Sequence, residues 1–362
     1  MTEIANTTDI KYKRLNAPRI KAAKQSYVTR NVSMDSFHYL VTNNVCPQSG
    51  QLVLARVDRI GQHTRLELPS GRRATLFEGD EIVVSYGNRY APDQFLAEVP
   101  LLLEECQLVA SGGIAAKVIT KHRKVKNATR ITPLGLIADR EKNIINLDNY
   151  TLPTLTNASV PPLVLAVAGS SMNGGKTTTA VNLIKGLTNA GLKVAAAKVT
   201  GTGSGLDSWK MLDACAYPVI DFTDFGFAST YKLSEKQLDF ILMNQINFLS
   251  SHNVDAIVIE VADGLAQEET STILKLKNFS KYIDAIFFAA AEAMSAHSGT
   301  QWLAEKDLPV IAVSGALTAS PLSTEEARDL CTVPVLKSSD LISRDIHQWI
   351  IDNIPAVKIL VT

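Results

Sequence analysis

One stretch, LVLAVAGSSMNGGKTTTAVNLIKGLTNAG at residues 163–191, constrains the fold of this chain more than any other. An apolar run of strand length enters a turn holding Gly169, Gly174 and Gly175. The turn opens a helical pattern with Ala180, Leu183, Ile184 and Leu187 on one face, and Gly191 stands just past its C-terminal end. A glycine-rich turn feeding a helix N-terminus aims several backbone N–H groups at one place, and an anion satisfies them. Lys176 then reaches the β and γ phosphates of a nucleotide, and the Thr177 hydroxyl is placed for Mg²⁺. Gly169, Asn173, Gly174, Gly175 and Thr178 are the remaining expected contacts of this loop.

The same grammar continues downstream. KVAAAKVT, YPVIDF, DAIVIEVA, DAIFFAAA, LPVIAVSG and VPVLK are short apolar runs, and many are separated by segments of helical length. Such runs suit parallel strands covered on both faces by helices. Residues 46–140 instead alternate in period two with hairpin-sized gaps, predicting a small antiparallel sheet or barrel, with helix only near 94–106. The polar, proline-containing stretch 141–162 reads as a linker, and 1–45 as an N-terminal extension. The expected fold class is therefore α/β: a C-terminal three-layer nucleotide-binding domain over 163–362 with a mostly parallel sheet, plus a smaller mainly-β N-terminal domain.

The loop departs from G-x-x-x-x-G-K-[ST] by one residue, since five separate Gly169 from Gly175. With that spacing it resembles the P-loop NTPases of the dethiobiotin synthetase-like and cobyrinic acid synthetase-like branch. GGKTTTAVNLIKGL is also similar to the chromosome-partitioning ATPases, although the extra lysine of their loop is replaced by Ser171. The resemblance covers about residues 163–340. It implies that Glu260, at the end of DAIVIE, approaches the metal in preference to Asp263, and that Lys198 and Gly201 lie near phosphates and substrate. It further implies that Ser314 and Gly315 face the base, where the family's asparagine is absent.

Asp207, later in the loop that follows KVAAAKVT, is expected as an outer metal ligand or a holder of water. Asp221 and Asp224 could contact the acceptor, act as a base or cap the next segment, with Asp221 nearer the sheet edge. The catalytic candidates are thus Lys176, Lys198 and Asp221, and the metal candidates Thr177, Asp207 and Glu260. ATP and Mg²⁺ are the implied cofactors, with adenine against guanine left open. The implied activity is ATP-dependent phosphoryl transfer to, or ligase-like activation of, a small-molecule acceptor such as a carboxylate or carbamate, the work of a kinase or synthetase. The opposing reading is a nucleotide-switched, partner-binding NTPase.

Thirty-six Lys and Arg balance thirty-six Asp and Glu, so global charge argues for neither nucleic acid nor an anionic membrane. Locally, KVITKHRKVKNATR at 117–130 carries six Lys and Arg and no acid, either as a solvated loop or as a site for a phosphate- or carboxylate-bearing partner. The polar loop at 86–100 could line a pocket or simply face solvent, and Gly112–Gly113 could hold an anion or turn a hairpin. Four scattered cysteines contain no C-x-x-C pair. No signal-like or membrane-length apolar run is visible, so the expectation is a soluble cytoplasmic protein, with a homodimer as a candidate assembly.

Overall fold

Period-two apolar residues in the first half of the chain meet inside a small barrel. The computed structural model describes residues 10–43, 45–155 and 162–355. The barrel strands are β1 (Leu52–Arg59), β2 (Glu81–Tyr86), β3 (Cys106–Ala110), β4 (Ile114–Lys121) and β5 (Thr129–Ala138). β1 pairs antiparallel with β2 and β5, and β3 pairs antiparallel with β4 and β5. β2 and β4 run parallel, which closes the ring. Closure leaves no open edge within the ring for another chain to pair with. Val53, Ala55 and Val57 of β1 and Ile82, Val84 and Tyr86 of β2 share one core cluster with Leu108 and Ile131, as alternation requires.

Several expectations for this half are corrected. The supposed extension supplies strands Tyr12–Arg14, Lys24–Gln25 and Tyr39–Val41 to the same sheet, because Leu40 and Val41 are fully apolar and buried; residues 1–9 and 44 lie outside the described residues. No helix forms at 94–106. Phe95–Glu98 is a strand paired with Arg89–Tyr90 and with β4, and alternate burial of Phe95 and Ala97 outweighs any helical tendency. The polar stretch at 86–100 is therefore partly a hairpin, and Gly112–Gly113 turns β3 into β4. In the stretch expected as linker, Ile145 and Leu147 are buried and Asn146 bridges to Gln51; residues 156–161 are not among those described.

His63 sits beside the buried Arg89, whose Nη1 lies 3.4 Å from His63 Nε2. Burial first, and the Arg89 charge second, push the imidazole down to about 4. It is therefore neutral when folded, whereas the unfolded chain takes a proton near 6.5. This contribution to stability is complete above the unfolded value and is lost as pH falls toward the folded one. By linkage it amounts to on the order of 3 kcal/mol. A series of urea denaturations between neutral pH and pH ~4 should show a flatter acid limb for His63→Asn than for the parent. Parallel limbs would mean that another group carries the acid sensitivity.

The second unit is a parallel sheet with helices on it. Its strands are β6 (Leu163–Gly169), β7 (Val194–Lys198), β8 (Val219–Asp221), β9 (Ala256–Glu260), β10 (Ala285–Ala289) and β11 (Val310–Ser314), ordered β8-β7-β9-β6-β10-β11. Every pairing is parallel. Helix α1 (Lys176–Asn189) buries Ala180, Leu183, Ile184 and Leu187 against Leu165, Val167 and Phe287 of the sheet. The intervening strand residues Ala166, Ala168, Ile257 and Ile259 are buried on the opposite face, so both faces are covered. The expected strand VPVLK is reduced to a single bridge between Val335 and Val313.

The domain boundary is also less simple than one cut near residue 162. Thr202–Gly205 and Thr223–Tyr231 cluster with the first unit, which otherwise runs to Leu152. Within that unit the buried Glu67 carboxylate accepts from Ser204 Oγ and Gly205 N at 3.1 Å each. Arg30 likewise donates to Thr223 Oγ1 and Asp224 Oδ1 at 2.6 Å each.

Candidate functional site

The chain leaves β6 toward β7 on one side and reaches β10 on the other, so the strand order reverses around β6. Open α/β sheets bind ligands in the crevice at the carboxyl ends of strands at such a point. There the loop 169–175 is held by Ser170 N donating to Ala289 O at 3.0 Å, and by Gly174 O accepting from Ala316 N at 3.0 Å. Gly175 caps α1 with φ 95°, and a Cβ there would stand 2.7 Å from Ala316 N, so only glycine fits. Lys176 is 3% exposed, and its Nζ reaches back over the turn to donate to Ser171 O at 2.7 Å. Its ammonium thus lies within the curl of loop amides. Burial lowers its pKa, against the raising pull of Glu260 and Asp263.

Strand register assembles the remaining charges. Lys198 is paired with Asp221 of β8 on one side and with Glu260 of β9 on the other, so the three stand in one row at the carboxyl edge of the sheet. Asp207 comes from the first turn of α2 (Leu206–Asp213) rather than from a loop. It forms an ion pair with Lys198 through Oδ2. The Thr177 hydroxyl lies 3.2 Å from Asp207 Oδ1 and 3.0 Å from Glu260 Oε1, one proton between two acceptors. Glu260 Oε2 is buried without a hydrogen-bond partner.

These surroundings separate the two carboxyl groups. Burial and the neighbouring Asp207 raise the Glu260 pKa beyond what Lys198 and Lys176 can offset. Burial acts the same way on Asp207, but the charge and hydrogen bond of Lys198, aided by Thr177, hold it below the ordinary range. Lys198 in turn is raised despite its burial, chiefly by Asp207 and then Glu260. At neutral pH the site therefore holds a firmly charged Lys198 ammonium, an ionised Asp207 and a Glu260 reluctant to ionise alone.

A divalent cation suits that reluctance. Mg²⁺ takes hard oxygens in octahedral geometry, keeps several waters, and is bound through one or two carboxylates plus substrate phosphates. Thr177 Oγ1, Asp207 and the orphaned Glu260 oxygen provide that donor set. Among the described residues no cluster of three or more His, Cys, Asp or Glu is placed to hold a metal. A cation here would therefore depend on phosphate oxygens for the rest of its shell.

Beside the loop lies a cleft of 460 Å³ lined by Gly175, Thr178, Gly315, Ala316, Thr318 and Lys337, among others. Ser314 ends β11 and is buried, so Gly315, with φ 103°, is the member of that pair that faces the cleft. Thr318 and Lys337 were not singled out from sequence, because reading VPVLK as a strand hid the short helix Ser338–Ile342 that Lys337 caps. Asn173 and Thr178 are exposed on the loop and first helical turn, and Gly169 and Gly174 pack within 3 Å of Ala289 O when a Cβ is added. Asp221 is 1% exposed at the end of β8. Asp224, in contrast, belongs to the first unit, engaged by Arg30 and Asn31. Asp263 adopts φ 66° in the turn after β9, and a Cβ on the adjacent Gly264 would stand 2.4 Å from Ser170 O, so that turn abuts the phosphate loop.

No family model matches the chain, and no curated protein sequence matches it. Among solved structures it is similar to the signal recognition particle receptor FtsY from Elizabethkingia anophelis, at 17% identity over 54% of this chain and 66% of that one, with TM-score 0.35. It is also similar to the 54 kDa signal recognition particle protein from Aeropyrum pernix K1 in complex with GDP, at 14% identity over 54% and 47%, with TM-score 0.37. A GTPase in apo form from Pyrococcus abyssi shares 12% identity over 53% of this chain and 97% of its own, with TM-score 0.34. The chain thus spans less than two thirds of the receptor's length. At this level the likenesses concern fold, and the chemistry of the site stands on its own residues. Among the described residues no helix is long and apolar enough to cross a membrane.

Proposed function

We propose that the second unit binds ATP with Mg²⁺ and transfers its terminal phosphoryl group to, or uses it to activate, a small acceptor such as a carboxylate or carbamate. The reading follows the dethiobiotin synthetase-like resemblance of the loop. One observation carries it: a threonine at the first turn of α1 shared between two carboxylates, one of which keeps a buried oxygen without a partner. Bound Mg²⁺ would neutralise charge on the phosphates. The loop amides and Lys176 would hold the β and γ phosphates, and the cleft at Gly315 and Thr318 would take the nucleoside.

Lys198 extends the positive field beyond the loop toward a transferred group. In transfer, an acceptor oxygen forms the new P–O bond while the bond from the γ phosphorus to the bridging oxygen breaks, and ADP leaves with that electron pair. Fixed cations and N–H donors lower this barrier because they face the developing charge without reorganising. Asp221, in the same row as Lys198, would orient the acceptor.

The test pairs Glu260→Gln with the parent protein in a single-turnover assay of labelled ATP, with a panel of small carboxylates and of amines with bicarbonate. The parent should turn over only with Mg²⁺ and faster with one acceptor. Glu260→Gln should lose about 10²-fold or more in rate, because a neutral amide does not replace a carboxylate on the metal. Its melting temperature should hold or rise, since the glutamate is costly to ionise where it lies. Turnover that ignores every small acceptor but responds to a protein would favour the switch instead. Retained Mg²⁺-dependent turnover in Glu260→Gln would remove the metal site.

A further inference from the structure

We infer that the first unit carries a second binding site, for a small organic polyanion bearing phosphate or carboxylate groups, in the cleft between the ends of β1, β4 and β5. This site uses none of the residues of the phosphate loop and does not depend on the function proposed for it. The cleft has a volume of 510 Å³ and is lined by Arg59, Gly61, Gln107, Lys121, Lys126 and Arg130, with no acidic residue on its wall. Four cations from separate positions in sequence are brought to one concavity. Three of them, Lys121, Lys126 and Arg130, belong to the acid-free stretch 117–130, which the nucleotide chemistry leaves unused.

The floor of the cleft is built rather than merely exposed. Gly61 N donates to Thr129 Oγ1 at 2.9 Å, and Gln62 N donates to Asn127 O at 2.8 Å. Lys126 N donates in turn to Gln62 Oε1 at 3.2 Å. A Cβ on Gly61 would stand 2.2 Å from Asn127 O, so the approach of these two turns requires a residue with no side chain. Lys121 Nζ ties the end of β4 to Val125 O at 2.8 Å across the same loop. The segment bearing Lys126 is thus held in place before any ligand arrives, which reduces the ordering cost of binding.

The charges are available. Arg130 pairs with Glu105 at 3.5 Å, both side chains about half exposed, and its charge also acts on Asp58, which Arg56 already engages. Among the described residues neither the Arg59 guanidinium nor the Lys126 ammonium is engaged in an ion pair or hydrogen bond. Clustered like charges repel one another, and an anion of two or more charges relieves that repulsion while Arg59 and Arg130 offer paired N–H donors to a planar carboxylate or a phosphate. Ile60, Val118 and Ala128 add apolar wall, which suits a short carbon body. The volume falls within the roughly 300–1,000 Å³ of small-molecule sites, and a bounded cleft of that size suits a compact ligand better than an extended nucleic-acid strand.

The experiment uses the full chain carrying Lys176→Ala, so that the phosphate loop does not compete for anions. Citrate and inorganic pyrophosphate are titrated separately at about 0.15 M salt, with hydrogen exchange followed by mass spectrometry. Saturable binding of either probe is expected, with slowed exchange in residues 59–63 and 121–130. Preference for citrate would identify a carboxylate ligand, and preference for pyrophosphate a phosphorylated one. Adding Arg59→Gln and Lys126→Gln, both at exposed positions, should weaken binding about tenfold or more without lowering the melting temperature. The inference is overturned by no saturable binding, by protection confined to other segments, or by unchanged affinity in the double substitution. It is equally overturned if a single-stranded oligonucleotide binds the segment more tightly than both small anions, since the ligand is then a nucleic acid.

Discussion

Lys176→Ala should lower the rate of Mg²⁺-nucleotide turnover by about 10²–10³-fold while leaving the chain folded. The ammonium is buried within the loop and donates to Ser171 O, at an exposed position that water can serve once the side chain is gone. The loss to folding is that of one hydrogen bond, about 1 kcal/mol. The loss to chemistry is larger. A fixed charge beside the β and γ phosphates acts where negative charge moves in the transition state, and no other lysine of the site replaces it. Lys198 is held by Asp207 and stands two strands away along the sheet edge, with β9 between. Phosphate release in single turnover, with a melting curve beside it, separates the two effects. Undiminished turnover would mean that the loop is not where the phosphates are held.

The parts legible in sequence were those written in local pattern. The apolar run, the glycines and the helical face of 163–191 each carry their own physical reason, and they fold as one strand, one loop and one helix. The period-two alternation likewise announced a small β domain, and the three-layer α/β class is borne out. What was hidden depends on pairing between distant segments. Nothing in KVAAAKVT says that Lys198 will stand between Asp221 and Glu260, because strand order decides its neighbours and three strands separated by up to 62 residues supply the row. Asp207 lies where the local pattern suggests a loop, yet Leu206 opens a helix whose first turn aims the carboxylate at Lys198. Residues 202–205 and 223–231 looked like ordinary connections of the α/β half. Their partners Glu67 and Arg30 lie more than a hundred residues earlier, where no local pattern points to them.

Lys198 and Asp207 provide the second large effect, and a thermodynamic cycle can isolate it. Lys198→Met should destabilise the chain by about 3 kcal/mol, near the low end for breaking a buried pair, because Asp207 keeps 19% side-chain exposure and water recovers part of its loss. Asp207→Asn should cost less, since Glu260 in the same row can then ionise and take over as partner to the ammonium. The double substitution should be more stable than Lys198→Met alone, because neither an unpaired ammonium nor an unpaired carboxylate remains. The parent should also lose the benefit of the pair as pH falls through the lowered pKa of Asp207, whereas the double substitution should not. All three variants should nevertheless fail in turnover, as each removes a charge from the metal and phosphate edge. Denaturant midpoints that add without coupling would show that the two charges do not depend on each other. A double variant with full turnover would show that their partnership serves only to hold α2 against the sheet.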